Sequence, residues 1–301
     1  MGYFKAQIVA KEAGGSMEFV GEIITSSQNK FVSLTRGLAN KKNRESEKLF
    51  RFDGVKLMCE AISRGVKPAF LLVCENELEW VFDKAEKLYG IKKSDIDCRV
   101  MTVAKGLFER LSEEMAPEGV ICVASYMEEL HRASSCEDVG GADLHERILL
   151  LESVRDPQNV GAIVRVAAAF GVDRIVMSRD CADIYNAKAL RASMGTLFGM
   201  RVDRVDNFTG AVKRLKESGR RVFAAALERD AAKLGEFPLK LGDCVVIGNE
   251  GHGLSAETLE ACSGCVFIPM SEQVESLNAA TAAAILVWEF FGSGKGGLRN
   301  E

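Results

Sequence analysis

The residues whose types and spacing could support chemistry gather at the ends of two short apolar runs late in the chain. Cys244 to Ile247 passes directly into Gly248-Asn249-Glu250-Gly251-His252-Gly253, and Cys265 to Ile268 passes into Pro269-Met270. Runs of this kind read as buried parallel strands, and strands of an open α/β sheet end at a ligand crevice. Glycines there let the backbone approach a ligand where any Cβ would intrude. The order GxxGxG, its late position and the lack of a following acidic residue exclude the dinucleotide fingerprint. A polar cluster upstream, Asp156-Pro157-Gln158-Asn159, ends another strand and opens a helix. The apolar face of that helix is Val160, Ile163, Val164, Ala167 and Phe170, with Arg165 on the opposite side. These spacings predict a small molecule held at the strand ends.

Two other patterns carry no such chemistry. Cys262-Ser263-Gly264-Cys265 is a CxxC without a second pair or a nearby histidine, and Cys265 opens a strand, so buried thiols and no metal are expected. Gly292-Ser293-Gly294-Lys295-Gly296 lacks the upstream glycine of a phosphate loop, position 289 being a glutamate.

The elements that must position these residues follow from composition and periodicity. With 301 residues and 47% hydrophobic content, the chain has room for two domains with real cores. No apolar run approaches the roughly 18 residues of a membrane span. Nine cysteines, an odd number in apolar surroundings, fit reduced thiols, and the expectation is a soluble cytoplasmic protein. A net charge of −4 means that any nucleic-acid binding must come from a local patch. One candidate patch is the turn Asn40-Lys41-Lys42-Asn43-Arg44, which reads equally as a solvated loop or a phosphate site.

Residues 1–21 read as an N-terminal extension, and 22–126 alternate helices and strands as a small α/β domain. Residues 127–144 turn polar and read as a linker. The second domain, 145–292, opens with the strand Ile148 to Leu151 and continues as an open, mostly parallel sheet, including a helix from about Asp183 to Leu197. It closes with an alanine-rich helix from Leu277 to Phe291 suited to a packing or subunit seam, and 293–301 reads as a flexible tail.

Three segments taken together resemble, in order and spacing, the motifs of the SpoU/TrmH family in the SPOUT class of RNA methyltransferases. They are Asn159 to Arg165 with Phe170-Gly171-Val172, Gly248 to Gly251 with Gly253-Leu254, and Ile268-Pro269-Met270 with Ser276-Leu277-Asn278. The resemblance covers about residues 145–292. It implies an α/β SPOUT-type parallel sheet ending in a C-terminal deep trefoil knot, preceded by a smaller α/β RNA-binding domain. It also implies S-adenosylmethionine bound by Gly248, Ile268 and Leu277, and methyl transfer to a ribose 2′-hydroxyl of RNA, leaning to ribosomal over transfer RNA.

In the family pattern Arg165 takes the key catalytic place. A guanidinium stays protonated, so its implied work is to bind the neighbouring phosphate and stabilise the developing alkoxide. Asn159, Glu250, Ser276 and Asn278 would orient Arg165 or the ribose; the bland alternative makes Asn159 a helix N-cap and Ser276 the cap of the last helix. Lys41, Lys42 and Arg44 become candidate RNA contacts, and a homodimer with the last helix in its seam is implied. His252 matches no fixed family position. Ser271-Glu272-Gln273 departs from the pattern where relatives often have a glycine, and Phe50 to Gly54 matches only loosely. The rival reading is a non-catalytic RNA-binding or assembly protein that kept the fold, against which the intact Arg165 speaks.

Overall fold

The computed structural model describes residues 21–228, 230–249, 251–271, 273 and 276–292. The extension before 21, the tail after 292 and Glu250 lie outside the described residues. Contacts divide the chain into two units between Ser125 and Tyr126.

The first unit runs α1 (Lys30–Gly37), α2 (Lys41–Glu47), β1 (Leu49–Asp53), α3 (Val55–Ser63), β2 (Pro68–Cys74), α4 (Leu78–Tyr89), β3 (Arg99–Val103), α5 (Lys105–Leu111) and β4 (Val120–Ser125). Its four strands pair in the order β1-β4-β2-β3, with only β2 and β3 parallel. Val32, Leu38, Phe70, Leu72, Leu107, Phe108, Ile121 and Val123 close one core over this sheet. The basic stretch is not a turn. Asn40 caps Lys42 N–H, and residues 41–47 wind into α2.

Arg44 is buried there, and its guanidinium donates to the carbonyls of Leu38 and Ala39 at 2.8 and 2.9 Å. It satisfies carbonyls that the end of α1 leaves over, which removes it from the RNA-contact set. Lys41 and Lys42 remain exposed.

The second unit begins with β5 (His131–Ser134) and α6 (Cys136–Gly140), both inside the stretch expected as a linker. It continues with β6 (Ile148–Leu151), α7 (Pro157–Ala169), β7 (Arg174–Ser178), α8 (Ala187–Ser193), β8 (Arg201–Val205), α9 (Phe208–Glu217), β9 (Val222–Ala225) and β10 (Ala232–Lys233). The last elements are β11 (Cys244–Ile247), α10 (Ala256–Ala261), β12 (Gly264–Phe267) and α11 (Ala279–Val287), which runs on as a π turn from Trp288 to Gly292. All eight strands are parallel, in the order β10-β12-β9-β11-β6-β7-β8-β5.

β5 is no linker because three anchors hold it. Tyr185 Oη lies 2.8 Å from both Met127 N and His131 Nδ1, His131 Nε2 lies 3.2 Å from the Leu197 carbonyl, and Ser134 Oγ donates to Asp203 at 2.8 Å. The long helix expected from 183 to 197 is cut short at Ser193. Met194 and Gly195 both take left-handed backbone, at φ 52° and 87°.

From β6 the chain steps to β7 and β8 on one side. It then returns to β9 on the other side, and β11 fills the place between β6 and β9. Winding therefore reverses next to β6 and β11, whose last residues Leu151 and Ile247 pair. An open parallel sheet places its ligand crevice at such a reversal, outside the carboxyl ends of the strands.

Candidate active site

The end of β6 delivers Glu152, Ser153 and then α7 to this crevice. Asp156 caps α7 by accepting from Gln158 N–H at 2.8 Å, and Pro157 supplies the preset φ of a first turn. Asn159 therefore sits inside the helix, buried, and is not its N-cap. Gly161 faces α8: a Cβ there would overlap the Ala189 carbonyl and reach 2.8 Å from Ala192 Cβ, so only glycine lets the two helices approach this closely. Arg165 is exposed on α7, and among the described residues its guanidinium has no hydrogen bond or ion pair.

The end of β11 delivers the glycine loop. Asn249 and Gly253 exchange both backbone hydrogen bonds, at 3.0 and 2.9 Å, and Asn249 Oδ1 accepts from Gly251 and His252 N–H. A Cβ on Gly248 would lie 2.6 Å from the Gly253 carbonyl, so this glycine is required by the loop's own closure. That reason differs from the close approach to a ligand expected from sequence. His252 is exposed.

Asn278 caps α11 by accepting from Ala280 and Thr281 N–H at 2.9 and 3.3 Å. Its Nδ2 donates to Asn159 Oδ1 at 2.9 Å. One side chain thus starts α11 and ties it to α7. Ser276 is exposed and does not cap the helix. Ile268 follows β12, Leu277 precedes α11, and both are half-buried. Gly248, Ile268 and Leu277 stand at element ends, where regular ladders leave peptide groups over. The half-buried apolar side chains of the last two suit a planar heterocycle, so these residues fit an adenosyl cofactor.

On the other side of β6 a cleft of about 540 Å3 opens at the ends of β6, β7 and β8, lined by Glu152, Ser153, Ser178, Asp180, Asp206 and Thr209 among others. Burial alone would raise the Asp180 pKa. Hydrogen bonds from the Ser153 and Ser178 hydroxyls, both 2.7 Å, and from Arg155 at 3.1 Å outweigh it and hold the carboxyl at about 2.

Sequence reading missed Glu152. It is buried, and its carboxylate accepts from Ser255 N–H at 3.0 Å, Ser255 Oγ at 2.8 Å and Thr258 Oγ1 at 2.7 Å. The available signal was a carboxylate directly after the fully apolar run Ile148–Leu151, where an acid needs partners from elsewhere in the fold. Cys262, of the CxxC, is a buried thiol pushed up to about 12 by desolvation.

Comparison with known proteins identifies the family. Residues 146–288 match the SpoU rRNA Methylase family, and residues 29–122 match the MRM3-like substrate binding domain. The chain is 30% identical over 270 residues to the Bacillus subtilis 23S rRNA (guanosine(2553)-2'-O)-methyltransferase RlmP, spanning 89% of this chain and 99% of that one. It is 29% identical to the mitochondrial rRNA methyltransferase 3A of Danio rerio, over 82% of this chain and 64% of that one. The AdoMet-bound rRNA methyltransferase from Sinorhizobium meliloti superposes with a TM-score of 0.72 at 25% identity, covering 89% of this chain and 96% of that chain. A relative 30% identical and matched over 99% of its length, together with the family match over residues 146–288, shows that the chain belongs to the SpoU/TrmH family of RNA methyltransferases.

Proposed function

We infer that the protein is an S-adenosylmethionine-dependent methyltransferase that modifies a ribose 2′-hydroxyl of ribosomal RNA. The observation that carries this reading is the Asn278–Asn159 hydrogen bond. It joins the first and third motifs, 119 residues apart, at the crevice, on the helix that also presents Arg165.

When bound, S-adenosylmethionine supplies an electrophilic methyl group on a sulfonium. Gly248, Ile268 and Leu277 are the residues that would hold it. A 2′-hydroxyl is a poor nucleophile, so the protein must align it and stabilise the charge that develops as its proton leaves. Arg165 is suited to that work. It is exposed, and a guanidinium is a cationic fork of N–H donors, so it binds the phosphodiester beside the target ribose and steadies the alkoxide, while a phosphate oxygen or water takes the proton. Asn159 and Asn278 fix the helix from which Arg165 projects; Glu250 and Ser276 complete the proposed set that orients the arginine or the ribose.

Several finer points belong to the same reading. The insertion of β11 between β6 and β9, followed by the return of α11 onto α7, supports a C-terminal trefoil knot. Trp288 and Ile285, 50% and 36% exposed at the alanine-rich last helix, support a homodimer seam there. Lys41 and Lys42 are the RNA contacts we retain on the first unit. Nine free thiols support a reducing, cytoplasmic setting.

The test is direct. Arg165→Ala should keep S-adenosylmethionine affinity within about twofold and lose methyl transfer to rRNA by about 10²-fold or more, as expected when a charge-stabilising donor is removed. Transfer at the wild-type rate would remove Arg165 from the mechanism.

A further inference from the structure

Two side chains cross between β6 and the glycine loop. The Asn249 amide donates to the Ser153 carbonyl at 2.9 Å, and the Glu152 carboxylate gathers the backbone N–H and hydroxyl of Ser255 together with the Thr258 hydroxyl. Ser153 stands between these clamps in a left-handed conformation, φ 56°, which a non-glycine residue holds only when its surroundings over-determine it. Here they do: its N–H bonds to Ser178 Oγ, its hydroxyl to Asp180 and its carbonyl to Asn249.

The loop's own bonds set its shape, and the bonds to β6 set its place. The Asn249–Gly253 pair closes the loop on itself, and Leu254 is buried beneath it. Ser255 then caps α10, its Oγ accepting from Thr258 N–H at 3.2 Å while donating to Glu152. Thr258 Oγ1 also lies 3.3 Å from Thr209 Oγ1 on α9, so its hydroxyl is not free to turn away. Glu152 thus holds the far end of the loop and Asn249 its near end.

We propose that Glu152 is a positioning residue: its buried carboxylate fixes the glycine loop on the end of β6 in the shape that receives the cofactor. This rests on the reading that the loop beginning at Gly248 touches the cofactor. Glu152 itself is placed on the opposite flank and acts through Ser255 and Thr258. Replacing the carboxylate by an amide keeps one acceptor oxygen and puts an NH2 against the Ser255 N–H, turning one bond into a donor–donor clash.

The experiment uses the full chain, S-adenosylhomocysteine for calorimetry, and rRNA from cells lacking the protein for initial rates. For Glu152→Gln, the Kd for S-adenosylhomocysteine and the KM for S-adenosylmethionine should rise about tenfold. At saturating cofactor, kcat should stay within about twofold and the KM for RNA should not change. Thr258→Val, a milder variant that removes one hydroxyl and leaves Glu152 in place, should raise the same Kd about threefold. It carries the test alone if Glu152→Gln does not fold. Val212→Ala, a core truncation on α9 that removes none of the polar bonds to the loop, controls for general destabilisation and should leave the Kd unchanged.

Equal cofactor Kd in the wild type and in Thr258→Val or a folded Glu152→Gln overturns the proposal, as does a Val212→Ala shift as large as theirs. A wild-type protein that fails to bind S-adenosylhomocysteine overturns the cofactor reading itself, a distinct outcome.

Discussion

Gly161→Ala sets two physical terms of opposite sign against each other. In an isolated helix the change should stabilise by about 1 kcal/mol, because glycine loses more backbone freedom than alanine. In α7 the new methyl meets the Ala189 carbonyl oxygen and sits 2.8 Å from Ala192 Cβ, where carbon atoms prefer about 3.5–4.0 Å. The first obstacle is a backbone oxygen of α8, which cannot turn aside as a side-chain tip can. The helices must separate by roughly 1 Å, and overpacking of this kind costs about 1–3 kcal/mol. The net is a loss of about 0–2 kcal/mol, a fall in Tm of at most a few degrees for a unit of this size.

The functional effect should exceed the stability effect. Asn159 precedes position 161 by one turn's half and Arg165 follows it by one turn on the same helix, and a displacement near 1 Å can cost about 10²-fold in rate. Scanning calorimetry and single-turnover methyl transfer at saturating cofactor measure the two terms separately. A Tm that rises by the propensity value, or a single-turnover rate equal to wild type, would show that α7 and α8 are not locked as described.

Two further outcomes follow from groups outside the crevice. Arg44→Met should destabilise the first unit by about 1–3 kcal/mol, since it strips buried carbonyls of a charged donor. Its RNA affinity should match wild type, whereas Lys41→Glu with Lys42→Glu should weaken RNA binding and flatten its salt dependence by about one to two charges; filter binding across a salt series checks both. His131 supplies the pH case. Burial, the largest influence, lowers its pKa from 6.5 to about 4. A folded pKa below the unfolded one means the unfolded chain takes up the proton first. The contribution of His131 to stability is therefore fully present above pH 6.5, falls by about 3 kcal/mol as pH drops toward 4, and levels off below that. Urea midpoints from pH 7 to 4 test this, and His131→Gln should flatten the fall; an equally steep fall in that variant would place the acid sensitivity elsewhere.

What could be read from the sequence was local, and what could not was directional. Strands β6 and β11 were visible as unbroken apolar runs because both of their faces are covered. β5 was invisible because it is an edge strand with His131, Arg132 and Ser134 among its four residues, recruited by β8 and Tyr185 and not by any apolar pattern. The basic cluster gave charge without direction, so Arg44 could not be told from Lys41 until Leu38 and Ala39 were seen to claim its guanidinium. The bland capping alternative fails for the same reason. Asp156, fixed by Pro157, pre-empts Asn159, and Asn278 caps the last helix in the place that the bland alternative gave to Ser276.

The bonds that assemble the site are the least local of all. Glu152 reaches Ser255 across 103 residues, Asn249 reaches Ser153 across 96 and Asn278 reaches Asn159 across 119. Each joins a strand end or helix start to an element delivered by a separate crossover, so spacing along the chain carries no trace of the pairing. The motifs mark the residues proposed for the chemistry. Glu152, outside every motif, determines in this structure where one of those motifs comes to rest, and such a residue becomes visible only when the partners of each buried polar group are followed to the end.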